Sequence, residues 1–349
     1  MSRSVEERMA DVRRLLECAR VLFAARAGLA PAIAAASGLT AEGVELGFAS
    51  LEREATDAEL RAFVAAAGDA GRVHVVLSAN VFVAPLRAMA LARAAAERVT
   101  VRVSPRDPVL TRALVEEAVA AGDGAIALVD ERDVARVDAG EVHVYGRDET
   151  IAAVRAGVRP GVVVRGHGSG MGVAIVSPGA QMDGAADALA LDVVAFDQRG
   201  CLSPRLAVIL GSAARAEVFA EALHASLRAL GTRIPRGQLL ADERSDACRW
   251  RDALSFAGRV WDASDHAVAL APEGSPLLVP PAGRHVTVIP VPSPEAVVSA
   301  LSPIARFVVA VGTDDLAALG GMAPAHARRS VLGAMQRPPL DGPVDRRSA

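Results

Sequence analysis

The stretch FDQRGCLSPR, Phe196 to Arg205, sets Cys201 between a glycine and a Leu-Ser-Pro turn, at the mouth of the apolar run LAVILG. A thiol so placed has two uses. It packs as a small hydrophobe, or it attacks a carbonyl as a thiolate. Gly200 frees the backbone before it and Ser203-Pro204 fixes a turn after it. Such a turn can aim a thiol and a backbone N–H at one bound carbonyl. Residue types alone leave packing and nucleophile equally open.

Three other stretches carry polar groups at places where strands end. SANVFVAPLR opens with Ser78 and puts Asn80 between a strand and a helix. An asparagine there is a turn residue or a side-chain donor to an oxyanion. In VTVRVSPRDPVL, Arg102 lies on a strand that Ser104-Pro105 ends. It reads as a solvated strand end or as a grip on a ribose or phosphate. In VYGRDET, Gly146 and Arg147 stand at a helix start, where free N–H donors and positive potential suit a phosphate.

The glycine cluster RGHGSGMG, Arg165 to Gly172, invites a dinucleotide reading and does not fit one. The pattern G-x-G-x-x-G needs glycine at position 171 or 173, and Met171 and Val173 stand there. The cluster also follows the last strand of the first half rather than the first. A hinge or a close-packed crossing suits it better. His167 within it is a polar loop residue or a proton carrier.

Composition narrows the chemistry. The 349 residues are 52% hydrophobic with a formal net charge of −3, so a sizeable core is expected and extended disorder is not. No basic stripe points to nucleic acid, and no apolar run approaches the ~20 residues of a membrane span. The charged start MSRSVEERMADVRR has no apolar leader, so the expected location is cytoplasmic. All 38 basic residues are arginine, which excludes a Schiff-base lysine and a P-loop lysine. Cys18, Cys201 and Cys248 are few and widely spaced, so neither a disulfide framework nor a metal pair is expected. Cys18, inside an amphipathic helix, reads as packing.

The elements that must position these residues follow from periodicity. Helices are expected to about Gly71, with stops and caps at Gly28, Thr40 and Thr56. Strands then alternate with helices: Val73–Asn80, Val99–Pro105, AIALVD, Glu141–Gly146 and PGVVVRG. The second half continues with DALALDVVAF as helix, LAVILG as strand, a long helix, His285–Val291, EAVVSALS and Ala305–Gly312. Continuous apolar strands between helices predict an α/β fold with a doubly wound parallel sheet as cofactor domain plus an α/β catalytic domain. The expected segments are 1–164, 165–318 and 319–349. The tail QRPPLDGPVDRRSA is expected to be loose at its end.

The order of these features resembles the aldehyde dehydrogenase superfamily. An asparagine follows a strand, then come a basic residue with Ser-Pro, Tyr-Gly before a helix, and a cysteine after Gln-x-Gly. DQRGCLSPR is most similar to acyl-CoA reductases of the LuxC type, the long-chain acyl-protein thioester reductases. LSANVFVAPLRAMALA, LTAEGVELGFASL and VLGAMQRPPLDG are similar too, so the likeness runs from about residue 40 to 342. It implies an aldehyde-dehydrogenase-like fold and the reduction of an acyl-CoA or acyl-carrier protein thioester to an aldehyde. Cys201 would carry the acyl group as a thioester. Asn80 and the backbone N–H of Cys201 would form the oxyanion hole. Ser78, Arg102, Ser104, Gly146 and Arg147 would hold the cofactor. Arginine at 102 and 147 suits a 2′-phosphate, which leans toward NADPH over NADH. The likeness also implies a homo-oligomer and an acyl-activating partner enzyme. Acid-forming members have a glutamate in Glu-Leu-Gly-Gly that activates water. Here the region reads VVVRGHGSG, which favours hydride over water and leaves His167 for the proton. Two alternatives stay open: an enzyme like glutamyl-phosphate reductase, acting on an acyl phosphate, and a non-catalytic member serving as a partner subunit.

Overall fold

The structure, a computed structural model, describes residues 3–51, 54–131 and 133–347. Its helices are α1 (Val5–Ala24), α2 (Ala30–Ser37), α3 (Ala41–Ala49), α4 (Asp57–Ala66), α5 (Ala84–Ala95), α6 (Val109–Ala120), α7 (Asp148–Gly157), α8 (Met182–Val194), α9 (Ala213–Arg233), α10 (Ala241–Ala257) and α11 (Pro294–Leu301). Local sequence sets several starts. Ser4 and Glu7 form a capping box on α1, and Thr56 and Glu59 form another on α4. Contacts divide the chain into two units. One comprises Met1–Ser37, Leu51–Ser169 and Pro339–Ala349, the other Gly38–Ser50 and Gly170–Pro338. The units interleave along the chain, whereas the segments expected from the sequence are contiguous.

The first unit holds β1 (Arg72–Val76), β2 (Arg98–Arg102), β3 (Ile126–Leu128), β4 (Glu141–Tyr145) and β5 (Val163–His167). They form one parallel sheet in the order β3-β2-β1-β4-β5. The order reverses at β1, which has β2 on one side and β4 on the other. α1 packs on α5 and α6 in the same unit. The closing segment is held as far as it is described, to residue 347, and the end expected to be loose, 348–349, lies outside the described residues. Arg87 donates to the carbonyls of Pro339 and Gly342 at 2.8 Å each, and Asp345 is buried. A guanidinium that satisfies two carbonyls offsets the ordering of a proline-rich end.

The second unit holds β6 (Met171–Val176), β7 (Pro204–Leu210), β8 (Arg259–Asp262), β9 (Ala267–Leu270), β10 (His285–Val291), β11 (Val308–Thr313) and β12 (Arg328–Val331). Their order is β12-β11-β6-β7-β10-β9-β8, parallel except for the β8–β9 pair. One face packs Ala207, Ile209 and Val288 against Leu189, Phe219 and Leu223. The other packs Val208, Ile289 and Val311 against Val297 and Leu319. Both faces are covered, so the strands are apolar on both sides, and the expected α/β class holds.

The sequence reading did not include β6, β8, β9, β12 or α10. β6 follows the glycine cluster and was hidden by it. α10 buries only Ala247, Trp250 and Leu254 among 17 residues, so it shows no broad apolar stripe. The glycines are close-packed. A Cβ on Gly166 would lie 2.6 Å from Ile151, and one on Gly172 would strike the Leu202 carbonyl.

Candidate active site

Cys201 lies on the turn between α8 and β7, at the amino end of that strand. It is half-buried and in no disulfide. The turn uses backbone that side chains ordinarily avoid. Phe196, Asp197 and Gln198 have φ of 55°, 49° and 64°. Such residues cost about 1–3 kcal/mol each and persist only where the surroundings over-determine them. Gln198 is fully buried. Its Nε2 donates to the carbonyls of Pro204 and His285 at 2.7 Å each, and its Oε1 accepts the His285 N–H at 2.8 Å. It therefore ties the turn to the first residues of β7 and β10. Asp197 meets Arg284 at 2.7 Å and accepts the Gly237 N–H at 2.9 Å. Beyond the cysteine, Ser203 N–H donates to Gly200 at 3.1 Å, and the Ser203 carbonyl accepts from Gly172 at 2.9 Å. The thiol is thus held from both sides on backbone that cannot relax, as an attacking group must be.

Gly172 leaves the turn its room. Gly172→Ala is expected to lose about 2–4 kcal/mol, because the obstacle is backbone rather than a flexible side chain. Both tryptophans, Trp250 and Trp261, lie in this unit, so the urea midpoint of tryptophan fluorescence measures it. An unchanged midpoint would contradict the packing.

The other expected residues lie in the first unit. Ser78 and Asn80 follow β1, with Asn80 exposed. Arg102 ends β2, and Ser104 is buried in the turn that follows. Gly146 and Arg147 stand between β4 and α7, with Arg147 as N-cap residue. His167 ends β5. All seven lie at or just past the carboxyl ends of parallel strands, where open α/β sheets bind ligands. Ser78 and Asn80 flank one side of the β1–β4 crevice, where the strand order reverses; Gly146 and Arg147 flank the other.

Where α6 begins, the buried Asp107 Oδ1 and Thr111 Oγ1 find no partner among the described residues. Burial lifts the Asp107 carboxyl to about 6. An acceptor and a hydroxyl left in this way near Arg102 fit the hydroxyls of a nucleotide ribose. At α7 the fit is mixed. The N-terminal N–H groups suit a phosphate, but Asp148 and Glu149 occupy the same first turn.

His167 stacks on Tyr145 with ring centroids 4.4 Å apart and planes 12° apart. Its Nε2 is buried without a partner among the described residues. Burial pushes its pKa down to about 4, against the pull of Asp345. The imidazole is therefore neutral at pH 7 and can accept a proton but lends no positive charge to a thiolate. Its ring protons are expected to show no titration from about pH 5.5 to 8 in NMR spectra, and a midpoint near 6.5 would contradict this. The cluster contains no acid of its own, yet two carboxylates reach it. Asp148 Oδ1 accepts the Ser169 N–H at 3.1 Å. Arg347, paired with Asp345 at 2.6 Å, donates to the Ser169 carbonyl at 2.8 Å. Both carboxylates are engaged by donors within the unit.

Seven of the expected residues thus share one sheet edge in the first unit, and Cys201 stands in the second. Sequence reasoning missed Asp197, Gln198 and Arg284. The available signal was the polar pair Asp197-Gln198 directly after an apolar helix.

A family model described as acyl-CoA reductase (LuxC) matches residues 45–320. No curated protein matches the chain at a significant level. Among solved structures, an oxidoreductase from Marinobacter aquaeolei is similar with a TM-score of 0.74 and 13% identity, over 97% of this chain and 80% of that one. A Mycobacterium tuberculosis aldehyde dehydrogenase complexed with NAD+ is similar with a TM-score of 0.71 and 12% identity, over 94% and 77%. A NAD-dependent benzaldehyde dehydrogenase from Corynebacterium glutamicum gives 0.69 and 16%, over 94% and 81%. These likenesses are of fold.

Proposed function

The chain belongs to the acyl-CoA reductase (LuxC) family, and from that premise we propose that it reduces an acyl thioester to an aldehyde through an acyl group carried on Cys201. The observation that carries this reading is the turn around Cys201, a half-buried thiol on backbone fixed by Gln198 and Asp197. As a thiolate, Cys201 attacks the carbonyl of an acyl-CoA or acyl-carrier protein. The Sγ–C bond forms, the carbonyl pair moves to oxygen, and the donor's thiolate leaves as the pair returns. Exchange of one thioester for another is close to thermoneutral, so the chain's task is to hold the oxyanion. In this reading the backbone N–H of Cys201 and the side-chain amide of Asn80 do so. One well-placed donor is worth roughly 3–4 kcal/mol in comparable sites.

Ser78, Arg102, Ser104, Gly146 and Arg147 would hold a nicotinamide cofactor along the sheet edge, with Asp107 and Thr111 available to its ribose. When bound, that cofactor supplies the hydride that turns the acyl group into an aldehyde. Arginine at 102 and 147 favours NADPH through the 2′-phosphate, while two solved relatives in fold are described with NAD. In this reading His167, neutral and with Nε2 unpartnered among the described residues, takes up a proton. The absence of an unengaged carboxylate in the glycine cluster supports release by hydride over release by water. An assembly of identical chains, an acyl-activating partner enzyme and a cytoplasmic location belong to the same proposal. Incubation with acyl-CoAs of increasing length, read by intact mass, tests it. A single acyl adduct on the Cys201 peptide is expected, and its discharge on adding NADPH should release aldehyde. An adduct formed only from acyl phosphates would overturn the choice of donor.

A further inference from the structure

We infer that Asp197 and Arg284 are positioning residues for Cys201, an inference that rests on the reading of Cys201 as the nucleophile. Both side chains are almost wholly buried, at 1% exposure each. Arg284 Nη2 lies 2.7 Å and Nε 2.9 Å from one oxygen of Asp197. The same guanidinium donates to the Ile234 carbonyl at 2.8 Å. The other Asp197 oxygen accepts the Gly237 N–H at 2.9 Å, and the Asp197 carbonyl accepts the Gly283 N–H at 3.0 Å. One aspartate therefore ties the cysteine turn to the segments around 235–237 and 283–284.

Stability alone does not account for such a pair. Two charges taken out of water gain little over a well-packed apolar pair. What the pair adds is a fixed conformation. Asp197 sits at the centre of three consecutive left-handed residues, Phe196 to Gln198, and Arg284 itself has φ of 67°. Neither phenylalanine nor glutamine favours that backbone. An aspartate pinned on both oxygens holds the centre of the run, and Gln198 holds its end. Cys201 follows three residues later, so the direction of its thiol and N–H depends on this run. Arg284 also neutralises a carboxylate that would otherwise oppose a thiolate on the same turn.

The test uses p-nitrophenyl acetate, an activated ester that acylates a well-aimed thiolate whatever its natural donor. Sγ takes the acetyl group, the C–O bond breaks and p-nitrophenolate leaves. Asp197→Asn and Arg284→Met are expected to slow this burst about thirtyfold, as sub-ångström misplacement does. Alkylation of Cys201 by iodoacetamide, which needs no oxyanion hole, should change less than about threefold in Asp197→Asn, which leaves no unpaired carboxylate on the turn. Arg284→Lys, which keeps the charge, should recover part of the loss. The exposed Cys248 serves as internal reference and the buried Cys18 as a reporter of unfolding. Folded variants with an unchanged burst, or Asp197→Asn with burst and alkylation falling together, would overturn the inference. Should none of the variants fold, hydrogen exchange in the native protein decides. The amides of Arg199 and Ser203, which donate to the carbonyls of Phe196 and Gly200, should exchange as slowly as those of β7, and fast exchange of both overturns the inference. If the ester acylates Cys201 and acyl-CoA does not, the proposed donor fails while the positioning role stands.

Discussion

Cys201→Ala is expected to form no acyl adduct and to lose on the order of 10⁴-fold or more in thioester reduction. A covalent route deprived of its nucleophile keeps only what binding and the oxyanion hole supply. The loss is expected with little change in stability. Cys201 is half-buried, and the fixed parts of its turn are Asp197, Gln198 and Ser203. Removing one sulfur from a partly exposed site costs about 1 kcal/mol or less. The urea midpoint of tryptophan fluorescence should therefore stay near that of the native protein. Three measurements separate the readings. Loss of adduct and turnover with the midpoint unchanged supports the nucleophile. Turnover retained at the native rate removes Cys201 from the chemistry. A native protein that neither forms an adduct nor binds cofactor would mark a non-catalytic member of the family.

How much of this was legible in the sequence depends on the reach of the contacts. The strands of the first unit were legible because each is a short valine- or isoleucine-rich segment bounded by turn residues, and their carboxyl ends carry Ser78, Asn80, Arg102, Gly146 and His167 in plain order. Cys201 was legible because cysteine is scarce and its neighbours are turn formers. The support of its turn was not. Gln198 and Asp197 act on His285 and Arg284, each 87 residues further along, and no local pattern announces such a pairing. The anchoring of the closing segment is illegible for a related reason. Proline and charge argue for a loose end, but Arg87 donates to its carbonyls from more than 250 residues away. β6 was hidden because glycine reads as a breaker by type, whereas Gly172 is a strand residue whose missing Cβ makes room for the Leu202 carbonyl.

The largest expected effect on the stability of the first unit falls at Glu141. This residue opens β4 and is 6% exposed. Its two oxygens accept Arg165 Nε at 2.7 Å and Nη2 at 3.0 Å, and His143 Nε2 lies 3.1 Å away. Burial alone would raise the Glu141 pKa, but the hydrogen bonds from His143 and Arg165 win and bring it to about 2. Glu141→Gln removes the charge and turns an amide donor toward a guanidinium that only donates. Breaking a buried pair from one side costs about 3–5 kcal/mol. Arg165 keeps a third of its side chain in water, so about 3 kcal/mol is expected here. The sign with pH follows from the lowered pKa. Between the unfolded value of 4.5 and the folded value of about 2, the unfolded chain binds more protons. The contribution of Glu141 is therefore complete above 4.5 and fades as pH falls toward 2. Tyr145, the one tyrosine of the chain, lies on β4 beside this cluster, and both tryptophans lie in the other unit. Urea unfolding followed by the fluorine NMR signal of fluorotyrosine at position 145 thus reads the first unit by itself. The gap between native protein and Glu141→Gln should be about 3 kcal/mol at neutral pH and clearly smaller near pH 3. The exposed Glu149→Gln, as control, should stay within about 0.5 kcal/mol of native. A gap equally wide at both pH values would show that Glu141 acts through shape alone, and that its charge does not hold Arg165 and His143 in place.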